Sequence, residues 1–289
     1  MTPQSLAKEV DSIYSLPEVA IRINELLAAP NTTVHDIERV IALDPALTAM
    51  LLKLINSAFY GFSRKIETVA QAVSLLGHKE IRNLVLATSV TATFTDVPPE
   101  LVDMESFWYN SITCAAIAKI LSEHFQMEDN ERFFTAGLLH SLGKLIFYTQ
   151  RPQQSARILL QANRKEDAII AAETQEFGFN YAQVGAELLA LWKLPESICQ
   201  MVRHHVHPAE LPAATENAVI LHAANRIAAV MEPGVKIAPD TEIPAAQFDA
   251  GVEQSLGLSE ELIQQAQLEA SLYAFEFLET IRPGASLIV

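Results

Sequence analysis

The sequence predicts an all-α protein built as two helical lobes. Glycine is scarce, at 10 of 289 residues, and half of the residues are hydrophobic, which favours helices over a turn-rich β fold. Apolar residues recur with helical spacing along almost the whole chain. No pair of strand-like segments with hairpin turn residues interrupts this pattern.

The first lobe consists of short helices whose ends carry capping signals. Asp44 followed by Pro45 supplies an N-cap with proline in the first helical position, and Gly77 supplies a C-terminal cap. The run Asp96-Val97-Pro98-Pro99 breaks the helical pattern, and we place the lobe boundary there. Helices are predicted after Pro17 and at 34–42, 45–56, 69–76 and 81–93.

Longer helices follow the breaker and form the second lobe. The proline-containing segment 232–244 is the longest predicted loop. The chain therefore divides into 1–97 as the first lobe, 98–231 as the second lobe, and 232–289 as a loop with C-terminal capping helices. Helices are predicted at 105–125, 131–148, 152–162, 165–176, 180–193, 195–206, 217–231, 245–256 and 259–281.

Charge and cysteine content exclude several classes of function. Twenty basic and 35 acidic residues give a formal charge of −15, so the surface repels phosphate backbones and disfavours general nucleic-acid binding. Cys114 and Cys199 lie far apart, which excludes a disulfide framework or a zinc finger. The charged N-terminus lacks a signal peptide, and the apolar run Leu47–Ile55 is too short to span a bilayer. We expect a cytoplasmic protein without membrane contact.

Polar residues interrupt the apolar helix predicted over 131–148. His140, Ser141 and Lys144 are three or four residues apart and would share one helix face. They predict either a polar pocket or a buried hydrogen-bond network. A structural histidine that donates to a neighbouring carbonyl is the favoured interpretation from these residues alone.

A second histidine group lies at the end of the helix predicted over 195–206. Imidazole clusters often bind metals, and His204, His205 and His207 form such a cluster in the sequence. Adjacent helical residues point about 100° apart, however, so His204 and His205 do not easily face one ion. A cationic helix C-terminus is at least as well supported. His222 and Asn225 could face the same interior.

The helix pair 34–42 and 45–56 resembles a helix-turn-helix. Its second helix offers one lysine, Lys53, and no arginine, with apolar residues where base-reading side chains would stand. A DNA-binding regulator therefore remains only an alternative. Arg64, Lys65 and Arg82 form a modest basic patch that an acidic partner or a nucleotide could use.

Several short blocks resemble the HDOD domain, the bacterial HD-related output domain, in order and spacing. The second lobe, from Phe107 to Asn225, is similar to the HD phosphohydrolase superfamily, and the whole resemblance covers residues 6–230. The blocks in the first lobe are Leu16-Pro17-Glu18-Val19, Asp44-Pro45-Ala46-Leu47, Asn56-Ser57-Ala58-Phe59-Tyr60-Gly61, Ile66, Ala72-Val73, Leu76-Gly77 and Arg82-Asn83-Leu84.

The resemblance implies a vestigial HD site. Asn110 falls where active relatives carry the first histidine ligand, His140-Ser141 falls on the HD doublet, and Asn225 falls on the late aspartate. Of these four core positions only His140 is retained. Tyr181 replaces a further histidine seen in relatives with a second metal, whereas His204 and His205 remain. Lys144, which in active relatives can approach a phosphate, is also retained.

The resemblance therefore implies a non-catalytic bacterial signalling module without a cofactor. A divalent ion needs anionic oxygen ligands to offset its dehydration, and the replaced positions are neutral. The implied partners are another signalling protein and a nucleotide-like small ligand in the old cleft. The alternative is a phosphohydrolase that uses Mn or Fe bound by His140, His204 and His205. Carboxylates for that alternative could come from Glu173, Glu176 or Glu187.

Overall fold

A computed structural model describes residues 1–11, 16–29, 31–56, 60–94, 96–208, 216–231, 245–248 and 252–281. Within these ranges all of the regular secondary structure is helical and there is no strand, which confirms the all-α prediction. The fifteen described helices are α1 (Pro3–Asp11), α2 (Glu18–Ala28), α3 (Val34–Ile41), α4 (Pro45–Ile55), α5 (Val69–Thr93), α6 (Met104–His124), α7 (Glu131–Leu139), α8 (Leu142–Gln150), α9 (Pro152–Gln161), α10 (Glu166–Phe177), α11 (Tyr181–Leu191), α12 (Glu196–His204), α13 (Glu216–Ala229), α14 (Val252–Leu256) and α15 (Glu260–Ile281).

Local capping explains where the helices of the first lobe begin. The Asp44 carboxylate accepts a hydrogen bond from the Leu47 N–H at 3.0 Å, as its sequence position predicts. Within α5 the backbone of Gly77 has a φ of 81°, so the helix is broken there into the two predicted segments. Glycine adopts this conformation without the steric cost that a Cβ atom would bring.

Helix α6 lies at the centre of the second lobe. It packs against α7, α13 and α15, while α11 packs against α8 and α12. Trp108 and Tyr181 are among the largest fully buried side chains of this core. Cys114 and Cys199 are both buried free thiols.

Two predicted segments of the second lobe need correction. The helix predicted at 131–148 is divided between Leu139 and Leu142. Of the helix predicted at 245–256, residues 245–248 have no regular structure, and α14 begins only at Val252. The predicted loop 232–244 lies outside the described residues.

The terminal helices connect the lobes in a way the sequence does not indicate. Helix α1 packs against α11 and α8 of the second lobe, although it lies within the range 1–97. Its buried Leu6, Ala7 and Val10 form the apolar face that makes this contact possible. Helix α15 packs against α6 and also against α4 of the first lobe. In the described part of the chain, no helix combines the length and apolar character needed to cross a membrane.

Candidate functional site

The turn between α7 and α8 carries His140 and Ser141, both buried. The His140 Nδ1–H group donates to the Gly137 carbonyl oxygen at 2.6 Å. The Ser141 N–H group would use that same carbonyl if the helix continued, so the imidazole competes with the helical ladder. This competition gives a physical reason for the break in the predicted helix. The hydrogen bond also matches the structural histidine inferred from the sequence.

His140 reaches across the core to Asn225 of α13. Its Nε2 atom lies 3.0 Å from the end of the Asn225 side-chain amide. Burial lowers the pKa of His140 to about 4, so the ring is neutral at pH 7. A neutral ring that donates through Nδ1 can only accept at Nε2. The Asn225 side chain therefore donates to His140 Nε2 through its NH2 group, with the amide turned so that its nitrogen faces the ring.

A second buried imidazole, His205, stands beside His140. The two ring centroids are 5.3 Å apart in an edge-to-face arrangement. The His205 Nδ1–H group donates to the Val202 carbonyl at 2.7 Å, and the Tyr181 hydroxyl lies 3.1 Å from Nε2. Tyr181 is then the donor to Nε2, because the pKa of His205 is lowered well below its ordinary value by burial. His222 donates from Nδ1 to the His205 carbonyl at 2.8 Å.

Residues nearer the surface line a cleft of about 400 Å³. Asn110, Ser141 and Lys144 from the predicted set line this cleft, together with Arg164 and Glu166. The Ser141 hydroxyl also lies 3.3 Å from the hydroxyl of Ser111. The cleft therefore exposes only part of the predicted set, whereas His140, His205 and Asn225 lie in the interior.

Lys144 is held in place by two neighbours. Its Nζ atom lies 2.8 Å from Glu166 Oε2 and 4.5 Å from the centroid of the Tyr181 ring. Burial alone would raise the pKa of Glu166, but the Lys144 ammonium outweighs that effect and leaves the pKa below its ordinary value. Sequence reasoning missed Glu166, since a separation of 22 positions from Lys144 carries no spacing signal.

The acidic residues that the phosphohydrolase alternative needs are engaged elsewhere. Glu173 accepts from the Tyr181 N–H group at 2.8 Å. Glu176 pairs with Arg157 at 2.5 Å, and Glu187 pairs with Arg203 at 2.6 Å. The three carboxylates therefore serve as internal hydrogen-bond or ion-pair partners in this conformation.

His204 does not join the buried cluster. It lies on the partly exposed side of α12 and contacts Gln200 of the same helix at 3.0 Å between Nε2 and Oε1. His205, one residue later, points into the core. Among the residues described, no group of three or more His, Cys, Asp or Glu side chains is placed to hold a metal ion. The candidate set His140, His204 and His205 is thus not brought together.

The residues at the HD positions do not fit a divalent metal. Asn110, Ser141 and Asn225 supply no anionic oxygen, and both ring nitrogens of His140 already face hydrogen-bonding partners. A hard divalent ion that lacks carboxylate ligands is not compensated for the loss of its hydration shell. The donor set instead suits a neutral, internally bonded polar core.

Close helix packing keeps this core in place. A Cβ atom added to Gly143 of α8 would lie 1.9 Å from the Tyr181 carbonyl oxygen, and one added to Gly137 of α7 would lie 2.5 Å from the Ala115 Cα atom. Glycine is therefore required at both helix crossings. These crossings set the positions of His140, Lys144 and Tyr181 relative to one another.

The order and packing of the helices define an all-α domain of two lobes. The HDOD domain family model matches residues 13–208, and the chain belongs to the HDOD domain family. A curated relative, an uncharacterized protein of Treponema pallidum (strain Nichols), is 28% identical over 214 residues, which cover 73% of this chain. The match covers 40% of that relative's length.

Crystal structures of several bacterial proteins share the fold of this chain. A structure named "Putative phosphohydrolase" from Shewanella amazonensis SB2B is 25% identical, with a TM-score of 0.77 and coverage of 96% of this chain and 98% of that one. An HDOD domain protein with unknown function from Geobacter sulfurreducens is 22% identical, with a TM-score of 0.70 and coverage of 93% and 91%. A "Putative signal transduction protein" from Marinobacter aquaeolei VT8 is 24% identical, with a TM-score of 0.71 and coverage of 95% and 60%.

Proposed function

We propose that this chain is a non-catalytic regulatory module of bacterial signal transduction that acts by binding another signalling protein. The observation that carries the proposal is the contact between His140 and Asn225, at two positions that the family resemblance assigns to metal ligands. A histidine that is bonded on both sides and neutral at pH 7 contributes to packing rather than to the activation of water.

The charge of the site supports the same conclusion. Hydrolysis by a metal-bound water requires carboxylates that offset the ion's dehydration and orient the attacking water. Asn110, Ser141 and Asn225 can extend a hydrogen-bond network but carry no charge. We therefore assign the vestigial HD site a structural role in the second lobe.

The cleft above this core is the proposed place for a nucleotide-like small ligand. Lys144 and Arg164 contribute positive charge there, and Phe107 and Tyr148 contribute apolar surface. An incoming phosphate would compete with Glu166 for the Lys144 ammonium group. A ligand in the cleft would then release Glu166 from Lys144. Because Glu166 begins α10, that helix would transmit the change.

The first lobe offers a surface for the protein partner. Leu75 is 55% exposed and lines an open cavity of about 570 Å³ together with Phe62, Arg64 and Lys65. Apolar surface beside two exposed cations suits an acidic peptide segment that carries an apolar anchor. We therefore propose that the partner binds at this face of the first lobe.

Metal content is the measurement that tests the non-catalytic assignment. Untagged protein, expressed with added manganese and iron, is analysed by plasma mass spectrometry, since a histidine tag would itself bind metal. We expect near-zero metal and no Mn²⁺-dependent hydrolysis of bis(p-nitrophenyl) phosphate. Stoichiometric metal together with turnover that chelation abolishes would support the phosphohydrolase alternative, which the similarity to the Shewanella protein keeps open.

A further inference from the structure

A separate cavity of about 410 Å³ lies where the two lobes meet. Its walls come from α5 of the first lobe, from α6 and α7 of the second, and from the C-terminal helix α15. No residue that lines it also lines the cleft beside Lys144. The volume is within the range of small-molecule sites, which is about 300–1,000 Å³.

Three charged side chains form the polar wall of this cavity. Lys119 Nζ lies 3.0 Å from Glu80 Oε2 and 3.3 Å from Glu131 Oε1. The Tyr60 hydroxyl donates to Glu80 Oε1 at 2.7 Å, and the Asn83 amide donates to Glu131 Oε2 at 2.7 Å. One ammonium group is therefore shared by two largely buried carboxylates.

When Glu131 is ionised, the Glu80 and Glu131 carboxylates together carry one more charge than the Lys119 ammonium neutralises. Glu80 has the shorter contact to Lys119, and the pKa of Glu80 is lowered because that ammonium outweighs the effect of burial. Burial and the neighbouring Glu80 raise the pKa of Glu131 to about 7. Glu123 and Glu269 add two exposed carboxylates among the lining residues. Arg82 and Tyr273 also interact electrostatically with Glu131.

Aromatic and aliphatic side chains form the remaining walls. Phe134 and Tyr273 pack edge to face with ring centroids 5.7 Å apart, and Tyr60 lies beside Glu80. Leu76 and Ile120 supply aliphatic surface. Aromatic faces attract organic cations through their quadrupole, while aliphatic walls accept the apolar body of such a molecule.

We propose that the lobe-junction cavity binds a small organic cation, with its ammonium group beside Glu131 and its apolar body against Phe134 and Tyr273. The cation would supply the positive charge that Lys119 alone does not provide for two carboxylates. Because Glu80 belongs to α5 and Glu131 to α7, the ligand would contact both lobes at once. This site is independent of the function proposed for the cleft.

Calorimetry with 2-phenylethylamine as the probe tests the proposal on the full chain. We expect saturable binding of the amine. The affinity for 2-phenylethanol, which has the same body without the charge, should be lower by about tenfold or more. Binding near pH 7 should also release protons, because a cation beside Glu131 favours its ionised form. Repeating the titration in buffers of different ionisation enthalpy measures that release.

Matched variants locate the site. Glu131→Gln should weaken amine binding about tenfold and abolish proton release, whereas Glu128→Gln changes an exposed carboxylate of the loop before α7 and should alter neither. Glu80→Gln is the second test variant and should also weaken binding. Thermal unfolding of each variant without the probe separates loss of binding from loss of folding. Absence of saturable amine binding to the wild type, or equal binding of the alcohol, would overturn the proposal.

Discussion

His140 and Asn225 meet at 3.0 Å in the core, although 85 residues separate them in the sequence. The contact joins the turn after α7 to the middle of α13, so it ties together two helices that both pack on α6. Nε2 of the neutral His140 ring is an acceptor. An aspartate at position 225 would place a carboxylate oxygen, which is also an acceptor, against its lone pair. Asparagine removes that repulsion, which is consistent with a polar core that needs no metal.

Replacement of His140 by alanine should lower the free energy of unfolding by about 1–3 kcal/mol. The Gly137 carbonyl and the Asn225 amide would lose their partner, and a cavity would form between α7 and α13. Urea unfolding monitored by circular dichroism measures the change. His204→Ala, on the partly exposed side of α12, is the control and should have little effect. An unchanged midpoint for His140→Ala would mean that the network contributes nothing to stability.

Ser141→Asp alone should not create hydrolytic activity. The substitution restores one carboxylate of the HD doublet, but Asn110 and Asn225 still lack the ligand chemistry that a divalent ion needs. The assay is hydrolysis of bis(p-nitrophenyl) phosphate with added Mn²⁺, with Ser141→Asn as a neutral control. Any metal-dependent turnover by the aspartate variant would show that our assignment of the HD positions is mistaken.

Gly143→Ala should destabilise the second lobe by about 3 kcal/mol, because the new methyl group cannot fit between α8 and α11. Gly178→Ala is the matched control, since Gly178 has a φ of 83° but open space around its Cα atom. There we expect only conformational strain of about 1–2 kcal/mol. Equal losses from thermal unfolding of the two variants would argue against a close helix crossing.

Stability should fall as the pH rises toward 8, in part because of Glu173. Burial raises the pKa of its carboxyl to about 8, above the ordinary value of 4.5. Between these values the folded protein holds a proton that the unfolded chain has released. The contribution is fully present below about pH 4.5 and is lost as the pH rises through about 8. Its slope is at most about 1.4 kcal/mol per pH unit.

Glu173→Gln removes this titrating carboxyl group and should reduce the dependence of the free energy of unfolding on pH. Urea unfolding at several values between about pH 5 and pH 8 measures the slope for each protein. Glu176→Gln alters a carboxylate on the same helix that is paired with Arg157 and partly exposed, and it should keep the wild-type slope. The raised pKa of Glu131 also makes stability fall as the pH rises, equally in the wild type and in both variants. The comparison of their slopes therefore isolates Glu173. Identical slopes would mean that Glu173 is ionised in the folded state.

Local signals in the sequence predict most of the helices. Asp44 and Gly77 act within a few residues of their own positions, and the structure places a cap and a break where they stand. The division at His140 was missed because a side chain competes there with the helical backbone for the Gly137 carbonyl. Apolar periodicity runs unchanged through that turn and does not report the competition.

Contacts between distant residues account for what the sequence could not predict. Glu166, the first residue of α10, meets Lys144 of α8 only in the folded chain, and no motif links the two. The cluster of Glu80, Lys119 and Glu131 draws on three helices, and each residue alone looks like an ordinary surface charge. The position of His140 near Asn225, by contrast, follows from the family resemblance and not from any local pattern.

The packing of α1 has a consequence for how the chain can be divided. Trp192 donates from Nε1 to Asp11 at 3.1 Å, and Arg151 pairs with Glu9 at 3.3 Å, so these two polar contacts join α1 to the second lobe. The first lobe is thus an insertion in the second, and no single cut separates the two as intact units. A protease that cleaves between α1 and α2 should leave the fragments associated, because the released helix α1 remains packed against α11.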